Sequence, residues 1–256
     1  RGRGLTVEFG NASRFAGNLK FEGLPDITQT FILADVDEFT TSAADIRQIS
    51  LPGNKILNIP DVLNKLGITT YHGNFTGFVN DFVAYGTINT ALGTLKTDLL
   101  FRPDTSNSLG FQGKLNANEF DIGTLANASS SLGNISLSAS IDGATIEGGS
   151  VKASLKGLIN QLQFKNYEYT NISLSGNLNN RTFNGSVNVN DPNVDLEFLG
   201  KVDFSDTLPS FDFTANLTDA HLYALNLNKT RPDFRVSCYI IANAVGYSIN
   251  SLNGEI

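Results

Sequence analysis

Several residue types are absent or scarce in this chain. It has 256 residues but no tryptophan, no methionine and one cysteine, Cys238. A single cysteine excludes a disulfide within the chain, and we expect Cys238 to pack as a small hydrophobe. A chain without methionine lacks its own initiator residue, which indicates a piece processed from a longer protein. Charged residues make up only 17% of the sequence, below the usual level of about a quarter.

The charge balance argues against a nucleic-acid partner. The net charge is −7 and the isoelectric point is about 4.8, whereas a phosphate-binding surface needs clustered Lys and Arg. An acidic chain is also repelled by anionic lipid headgroups. The sequence contains no secretory signal and no apolar run of about 18 residues, so we expect no membrane span within it.

The strongest positive signal is an alternation of apolar and polar residues with a period of two. From Val194 to Phe204 every second residue is apolar or glycine, and most of the residues between them are charged. Thr182–Asn190 and Phe211–Leu217 follow the same scheme. This alternation places the apolar side chains on one face of a half-exposed β-sheet.

Short polar turns separate these strands and predict how they are connected. Asn179-Asn180, Asp191–Asn193 and Ser205–Pro209 join successive strands, which is typical of antiparallel neighbours. Residues 171–218 are therefore predicted to form a four-strand meander of unusually long strands, roughly 30 Å each. Further strands are predicted at Leu95–Phe101, Ile135–Ile141 and Val151–Ile159.

A degenerate repeat runs through the chain. An apolar residue is followed two positions later by glycine and two positions after that by another apolar residue. We interpret it as an internal repeat of one strand per unit. It begins at Phe15, Tyr71, Phe111, Leu174 and Phe183.

Helix signals are few. Pro60–Gly67 predicts one or two helical turns, with proline at the start and glycine past the end. Glu119–Ser131 is predicted to be a loop, and Asp219–Leu227 fits either a capped helix or a continued strand. We predict one continuous β segment over residues 1–256, with a candidate flexible point near residues 123–131.

The residues carry no recognisable catalytic or metal-binding pattern. His72 and His221 lack the spacing of a metal pair, and there is no nucleophile elbow, phosphate loop or dinucleotide fingerprint. Asn188–Asp195 resembles a calcium loop superficially but lacks its glycine and terminal Glu, so we predict a turn. Three carboxylate pairs lie on the expected polar face or in turns: Asp35 with Asp37, Asp195 with Glu197, and Asp203 with Asp206. We therefore predict a protein that is not an enzyme and has no cofactor and no metal.

The apolar face has two interpretations that the residues alone leave open. It is either the sealed inside of a β-sandwich or the lining of an open trough. Long strands, local connections and glycine on the apolar side favour a trough, because glycine packs a core poorly and suits a bend or a close approach. An acyl chain is the natural occupant of such a trough, since it needs no hydrogen-bond partner.

The order of several short motifs resembles the periplasmic repeat region of TamB-type proteins of the AsmA-like superfamily. The resemblance covers residues 15–225 approximately, and each motif is short and degenerate. The segments that carry it are Ala44–Pro52, Leu66–Phe78, Phe82–Gly86, Tyr167–Ile172, Phe183–Val187 and Asp219–Leu227.

This resemblance implies an all-β fold, in which a long antiparallel meander sheet is twisted and curled into an elongated U-shaped groove of the β-taco type. It implies a periplasmic location, with the full-length protein anchored in the inner membrane. It further implies movement of phospholipid between the inner and outer membranes in support of outer-membrane assembly, with an Omp85-type barrel as partner of other parts of the chain. Membrane contact would use segments that are not present here.

We therefore expect a lipid-conducting groove segment whose lining residues contact phospholipid acyl chains. The alternatives are a structural or adhesive secreted β-repeat protein with no ligand, and a polysaccharide-acting enzyme on a β-solenoid. The residues predicted to line the groove are Phe75, Phe111, Leu115, Leu174, Leu178, Phe183, Val187, Val189, Val194, Leu196, Phe198, Val202, Phe204, Phe211, Phe213 and Leu217.

Overall fold

The computed structural model describes residues 1–48, 50–51, 55–56, 61–103, 108–145, 151–246 and 253–255. The chain forms two compact units, Arg1–Ser129 and Ser130–Ile256. The boundary between them falls in the stretch 123–131 that the sequence marks as a candidate flexible point. The fold is nearly all β, with 70% of residues in strands, and the predicted antiparallel meander is confirmed.

The first unit is a meander in which strand order follows sequence order, β1-β2-β3-β6-β7-β8-β9. Its strands are β1 (Gly2–Phe9), β2 (Ser13–Glu22), β3 (Phe31–Thr41), β6 (Thr69–Phe78), β7 (Asp81–Thr90), β8 (Gly93–Pro103) and β9 (Leu109–Asp121). A separate small hairpin pairs β4 (Ser50–Leu51) with β5 (Lys55–Ile56). The helical turns are a 3-10 turn at Ile27–Gln29, α1 (Ala43–Arg47), a 3-10 turn at Asp61–Leu66 and α2 (Ile122–Leu125).

The second unit is a meander of the same kind, again in sequence order. Its described strands are β10 (Leu132–Thr145), β11 (Val151–Phe164), β12 (Tyr167–Asn179), β13 (Thr182–Asp191), β14 (Val194–Asp203), β15 (Ser210–His221), β16 (Arg235–Val245) and β17 (Asn253–Glu255). The four-strand meander predicted over residues 171–218 corresponds to β12–β15 and is confirmed. The three further predicted strands are confirmed as the central parts of β8 and β10 and the first nine residues of β11.

The helical predictions had mixed outcomes. The turn expected at residues 60–67 is present as the 3-10 turn at Asp61–Leu66, while Pro60 lies outside the described residues. The loop expected at Glu119–Ser131 was wrong at its start, because β9 continues to Asp121 and α2 follows it directly. The Asp121 side chain accepts hydrogen bonds from the Thr124 amide and hydroxyl at 2.7 and 2.6 Å, a helix-capping arrangement. Residues 219–227 follow neither alternative throughout, because the strand continues only to His221 and residues 222–227 form a turn.

The glycines of the apolar side lie opposite one another across the strands. Gly73 pairs with Gly86, and the Tyr71 hydroxyl donates to the carbonyls of Asn74 and Tyr85 at 2.9 and 3.0 Å, which holds its ring over this pair. In the second unit Gly185 lies opposite both Gly176 and Gly200. The Phe183 ring occupies the space that side chains at Gly176 and Gly185 would need. Aromatic rings thus cover the glycine pairs, an arrangement that stabilises glycine-containing strands.

The close approach of β14 to β15 at Gly200 predicts a strong preference for glycine. Its φ is +150°, and an added Cβ would lie 2.4 Å from the Asp212 carbonyl oxygen and from the Phe213 Cα. We expect Gly200→Ala to lower the free energy of unfolding by about 1–3 kcal/mol, measured by urea denaturation.

Gly4→Ala is the matched control for this substitution. Gly4 has φ +57° and open space around its Cβ position, so only the conformational cost of about 1 kcal/mol applies. Equal losses for the two variants would contradict the steric argument.

Candidate functional site

The second unit gathers its apolar residues into cross-strand rows on one face. Residues opposite each other in an antiparallel pair point to the same side, so each row continues from strand to strand. One row is Leu174, Val187, Phe198, Ala215 and Ile240, and the next is Leu178, Phe183, Val202, Phe211 and Ala244. A third row is Ile172, Val189, Leu196, Leu217 and Cys238. We call this surface the second apolar face.

Aromatic pairs stand at the middle and at one end of the second apolar face. The Phe198 and Phe213 rings lie 5.1 Å apart between centroids. Phe204 and Phe211 form an edge-to-face pair at 6.3 Å. Such pairs add about 0.5–1.5 kcal/mol beyond the area they bury, so the rings stabilise the sheet while keeping part of their surface exposed.

The first unit carries a corresponding surface, which we call the first apolar face. Phe75 stacks on Phe82 at 4.6 Å, and Phe82 stacks on Phe101 at 4.7 Å. Phe101 in turn lies opposite Phe111, and Leu115 lies on the same side of β9. The three predicted residues of this unit therefore share one face.

Few of the large apolar side chains are fully covered by protein. All eighteen phenylalanines lie in the described residues, and Phe120, which is 5% exposed, is the one classed as buried. Phenylalanine is ordinarily among the residue types most often buried completely. Most phenylalanines of the two apolar faces are therefore partly buried rather than fully covered by protein.

One end of the second apolar face is covered by the turn that follows β15. Leu225 in this turn is 1% exposed and packs in a buried cluster with Ile172, Val189, Val194 and Ala220. The Asn226 side-chain amide donates to the Asn166 carbonyl at 3.0 Å, which ties the turn to the β11–β12 connection. Val189 and Val194 were predicted to line an open groove, but in the structure they are buried and packed in this cluster.

Hydrogen bonds to the Asp191 carboxylate connect β12 to the β13–β14 turn at the same end of the second unit. This carboxylate accepts hydrogen bonds from the Tyr167 hydroxyl at 2.5 Å, the Thr170 amide at 2.9 Å and hydroxyl at 3.0 Å, and the Asn193 amide at 2.9 Å. Burial by itself raises the pKa of Asp191, but these hydrogen bonds outweigh it and lower the pKa. The calcium-like stretch 188–195 is thus the end of a hairpin, in which the turn Pro192-Asn193 joins β13 to β14 and the Asp191 donors come from the chain itself.

Polar contacts also hold the helical turns at one end of the first unit. Asp45 is buried and accepts hydrogen bonds from the Asn11 and Ala12 amides and the Ser13 hydroxyl. These bonds lower its pKa and attach α1 to the β1–β2 turn. The Lys65 ammonium donates to the carbonyls of Thr124 and Leu125 at 2.8 and 2.9 Å, at the C-terminal end of α2.

The opposite side of each sheet is mainly polar, and both histidines make backbone contacts. His72 Nδ1 lies 2.5 Å from the Asp37 carbonyl oxygen, and His221 Nε2 lies 2.6 Å from that of Pro232. Among the described residues there is no group of three or more potential metal ligands. None of the described helices has the length and hydropathy that crossing a membrane requires.

The sequence prediction missed part of both apolar faces. Phe82 and Phe101 were not among the predicted lining residues, although they link Phe75 to Phe111. The residues of β16 were also missed. Tyr239 and Ile241 are apolar and lie on the side of β16 that faces away from the second apolar face, so the sequence of this strand does not alternate between apolar and polar residues. The run Phe82-Val83-Ala84-Tyr85 lacks the alternation in the same way. The cross-strand register would have identified these residues, because it shows which of them lie opposite the predicted lining residues.

Comparison with known proteins adds no relationship: no family model, no curated protein and no solved structure matches this chain.

The Leu225 turn predicts a strong local dependence of stability on one side chain. Leu225→Ala should lower the free energy of unfolding by about 2–5 kcal/mol in urea denaturation, because it leaves a cavity in the buried cluster. Leu227→Ala is the control, since Leu227 lies two residues on in the same turn and is exposed. A comparable loss for both would mean that Leu225 does not anchor the turn.

The hydrogen bonds to Asp191 predict a specific acid sensitivity. A carboxylate whose pKa is lower in the folded state contributes stability above its unfolded value of about 3.9, and this contribution is lost as pH falls through the folded value. We expect the wild-type free energy of unfolding to decline below about pH 5, and Asp191→Asn to remove part of that decline while lowering stability at pH 7. Tyr167→Phe, which deletes one donor, should have a smaller effect of the same kind. An unchanged pH profile in Asp191→Asn would contradict this account.

Proposed function

We propose that this chain is a lipid-conducting segment of a TamB-type protein, in which the two apolar faces hold phospholipid acyl chains in the periplasm. The single observation that carries the proposal is the incomplete burial of the phenylalanines: Phe120 is buried, and the others are partly buried or exposed. Exposed apolar surface costs about 25 cal/mol per Å² relative to burial. A hydrocarbon occupant removes this cost.

The chemistry of the two faces suits a hydrocarbon better than a polar ligand. The predicted lining positions are aliphatic or aromatic, and the neighbouring polar residues of the same strands point to the other side. An acyl chain gains from apolar contact without needing directional partners. The second apolar face is covered at the Leu225 end, whereas near its other end Phe204 is exposed and Val202 and Phe211 are partly buried, so we assign the acyl chains to that other end.

The proposal extends to the longer protein of which this chain would be a segment. We propose that the longer protein is anchored in the inner membrane, has an Omp85-type outer-membrane barrel as partner, and carries phospholipid in support of outer-membrane assembly. The resemblance of the ordered sequence motifs supports it, as does an antiparallel meander whose strands follow one another in sequence. In this proposal the chain performs no chemical step.

The second candidate is a structural or adhesive β-repeat protein with no ligand. The buried cluster of Ile172, Val189, Val194, Ala220 and Leu225 favours it, because such a cluster is ordinary core packing. The two candidates differ in whether the partly exposed phenylalanines bind lipid.

The test places a charge on the apolar face of β14. In Phe198→Glu, a bound acyl chain would have to displace water from the new carboxylate, and this desolvation is costly. We expect wild-type chain purified from bacterial cells to carry phospholipid and Phe198→Glu to lose most of it, measured by native mass spectrometry and lipid extraction. Phe213→Glu, on the neighbouring strand, should act in the same way.

Leu199→Glu is the matched control. Leu199 is the next residue of β14, points to the opposite face and is 62% exposed, so its substitution should leave bound lipid unchanged. Circular dichroism of each variant reports whether the sheet persists. Wild-type protein free of lipid, or unfolding of both phenylalanine variants, would favour the structural candidate instead.

A further inference from the structure

A depression about 350 Å³ in volume lies on the polar side of the first unit. It is open to solvent and crosses β6, β7, β8 and β9, on the sheet surface opposite the first apolar face. Neighbouring strands are about 4.8 Å apart, so roughly 14 Å separates β6 from β9. The volume lies within the range of small-ligand sites, about 300–1,000 Å³. The polar and aromatic side chains that line this polar depression include His72, Tyr85, Lys96, Asp98, Lys114 and Asn116.

The strand register brings these side chains into two neighbouring rows. One row is His72, Thr87, Lys96 and Asn116, and the next is Asn74, Tyr85, Asp98 and Lys114. Residues opposite each other in an antiparallel pair point to the same side of the sheet. Within these rows Thr87 is half-buried, whereas the six residues named above are exposed. Side chains from four strands therefore meet at one surface that a ligand can reach.

The charged groups of the polar depression are not committed to partners. Lys96, Asp98 and Lys114 form neither an ion pair nor a side-chain hydrogen bond with any residue that the structure describes. Asp98 lies directly opposite Lys114, a position that favours an ion pair, yet the two side chains do not form one. All three groups are therefore available to a ligand.

His72 contributes an acceptor to the polar depression. Its Nδ1 lies 2.5 Å from the Asp37 carbonyl oxygen. A carbonyl oxygen only accepts, so Nδ1 carries the proton, and Nε2 of the neutral ring accepts hydrogen bonds. The Asp37 contact thus fixes the tautomer and leaves Nε2 for a ligand.

The donors and acceptors of the polar depression match hydroxyl groups better than an anion. The ammonium groups of Lys96 and Lys114 only donate, whereas the Asp98 carboxylate only accepts. A phosphate would be attracted by the lysines but repelled by Asp98. A hydroxyl group both donates and accepts, so a ligand with several hydroxyls satisfies both kinds of group at once.

Tyr85 adds an apolar surface beside these polar groups. It is 62% exposed, and it lies opposite Asn74 on one side and Asp98 on the other. A tyrosine side chain combines an apolar ring with a polar hydroxyl. The C–H groups of a sugar ring can pack on the aromatic ring while the sugar hydroxyls reach Asp98 and its neighbours. An inorganic anion would leave the tyrosine ring unused.

We propose that the polar depression binds a short saccharide. One sugar ring packs on Tyr85, and the sugar hydroxyls donate to Asp98 and accept from Lys96 and Lys114. His72 and Asn116 bind hydroxyls in the neighbouring row. The site lies on the opposite side of the sheet from the first apolar face and does not depend on lipid binding.

The first experiment titrates the full chain with three tetrasaccharides by isothermal titration calorimetry. These are the β-linked tetramers of glucose and of N-acetylglucosamine and the α-linked tetramer of glucose. We expect at least one of them to bind with a Kd of about 1 mM or lower. Tyr85→Ala should weaken that binding about two- to tenfold, because the sugar ring loses its aromatic contact.

Tyr239→Ala is the matched control. Tyr239 is 65% exposed and lies opposite Asn216 in the second unit, on the side that faces away from the second apolar face. Its substitution should leave the Kd unchanged. Circular dichroism of each variant reports whether the sheet persists.

A second experiment distinguishes a saccharide from an anion. Asp98→Ala should weaken saccharide binding about tenfold, because the hydroxyl groups lose a charged acceptor. The same substitution would strengthen the binding of an anion, since it removes a repelling charge. Inorganic phosphate is the competing probe, used at constant ionic strength, and we expect it to leave the tetrasaccharide bound.

Three results would overturn the proposal. The first is that none of the tetrasaccharides binds at about 10 mM. The second is a Tyr85→Ala variant that binds as tightly as Tyr239→Ala. The third is displacement by phosphate together with tighter binding in Asp98→Ala. Each of these results would leave the lipid assignment to be judged by its own test.

Discussion

Every feature of the two apolar faces depends on the register of antiparallel pairing. Residues that lie opposite each other point to the same side, so a strand contributes to a face only if its apolar positions are aligned with those of its neighbours. The row from Leu174 through Val187 and Phe198 keeps this alignment across strand after strand. A slip of one residue in any pair would move an entire set of side chains to the polar face.

Glycine and the aromatic residues act together within this register. Gly176, Gly185 and Gly200 follow one another across three strands, where larger side chains would collide with the neighbouring backbone. The Phe183 ring lies over the gap, as the Tyr71 ring does at Gly73 and Gly86. Glycine therefore permits close approach of the strands, while the rings restore contact area. The apolar rows thereby remain continuous across these strands.

Buried carboxylates hold the chain connections at one end of each unit. Asp191 accepts hydrogen bonds from Tyr167 and Thr170 of β12, and Asp45 accepts them from the β1–β2 turn. Hydrogen bonds of this kind offset the cost of taking a charge out of water. They fix the connections at one end of each unit, and in the second unit Leu225 lies in the cluster beside them. The proposed lipid region is thereby limited to the part of the face beyond that cluster.

The sequence by itself determined many of the strands, the antiparallel order over residues 171–218 and the side to which most apolar residues there point, because period-two alternation and short polar turns are local signals. It also marked most of the residues now found in cross-strand rows, including Phe183, Phe198 and Phe211. It did not determine that Leu225 covers Val189 and Val194 or that rings cover the glycines. Only the tertiary structure decided these features, since each depends on contacts across strands and turns that the local pattern does not encode.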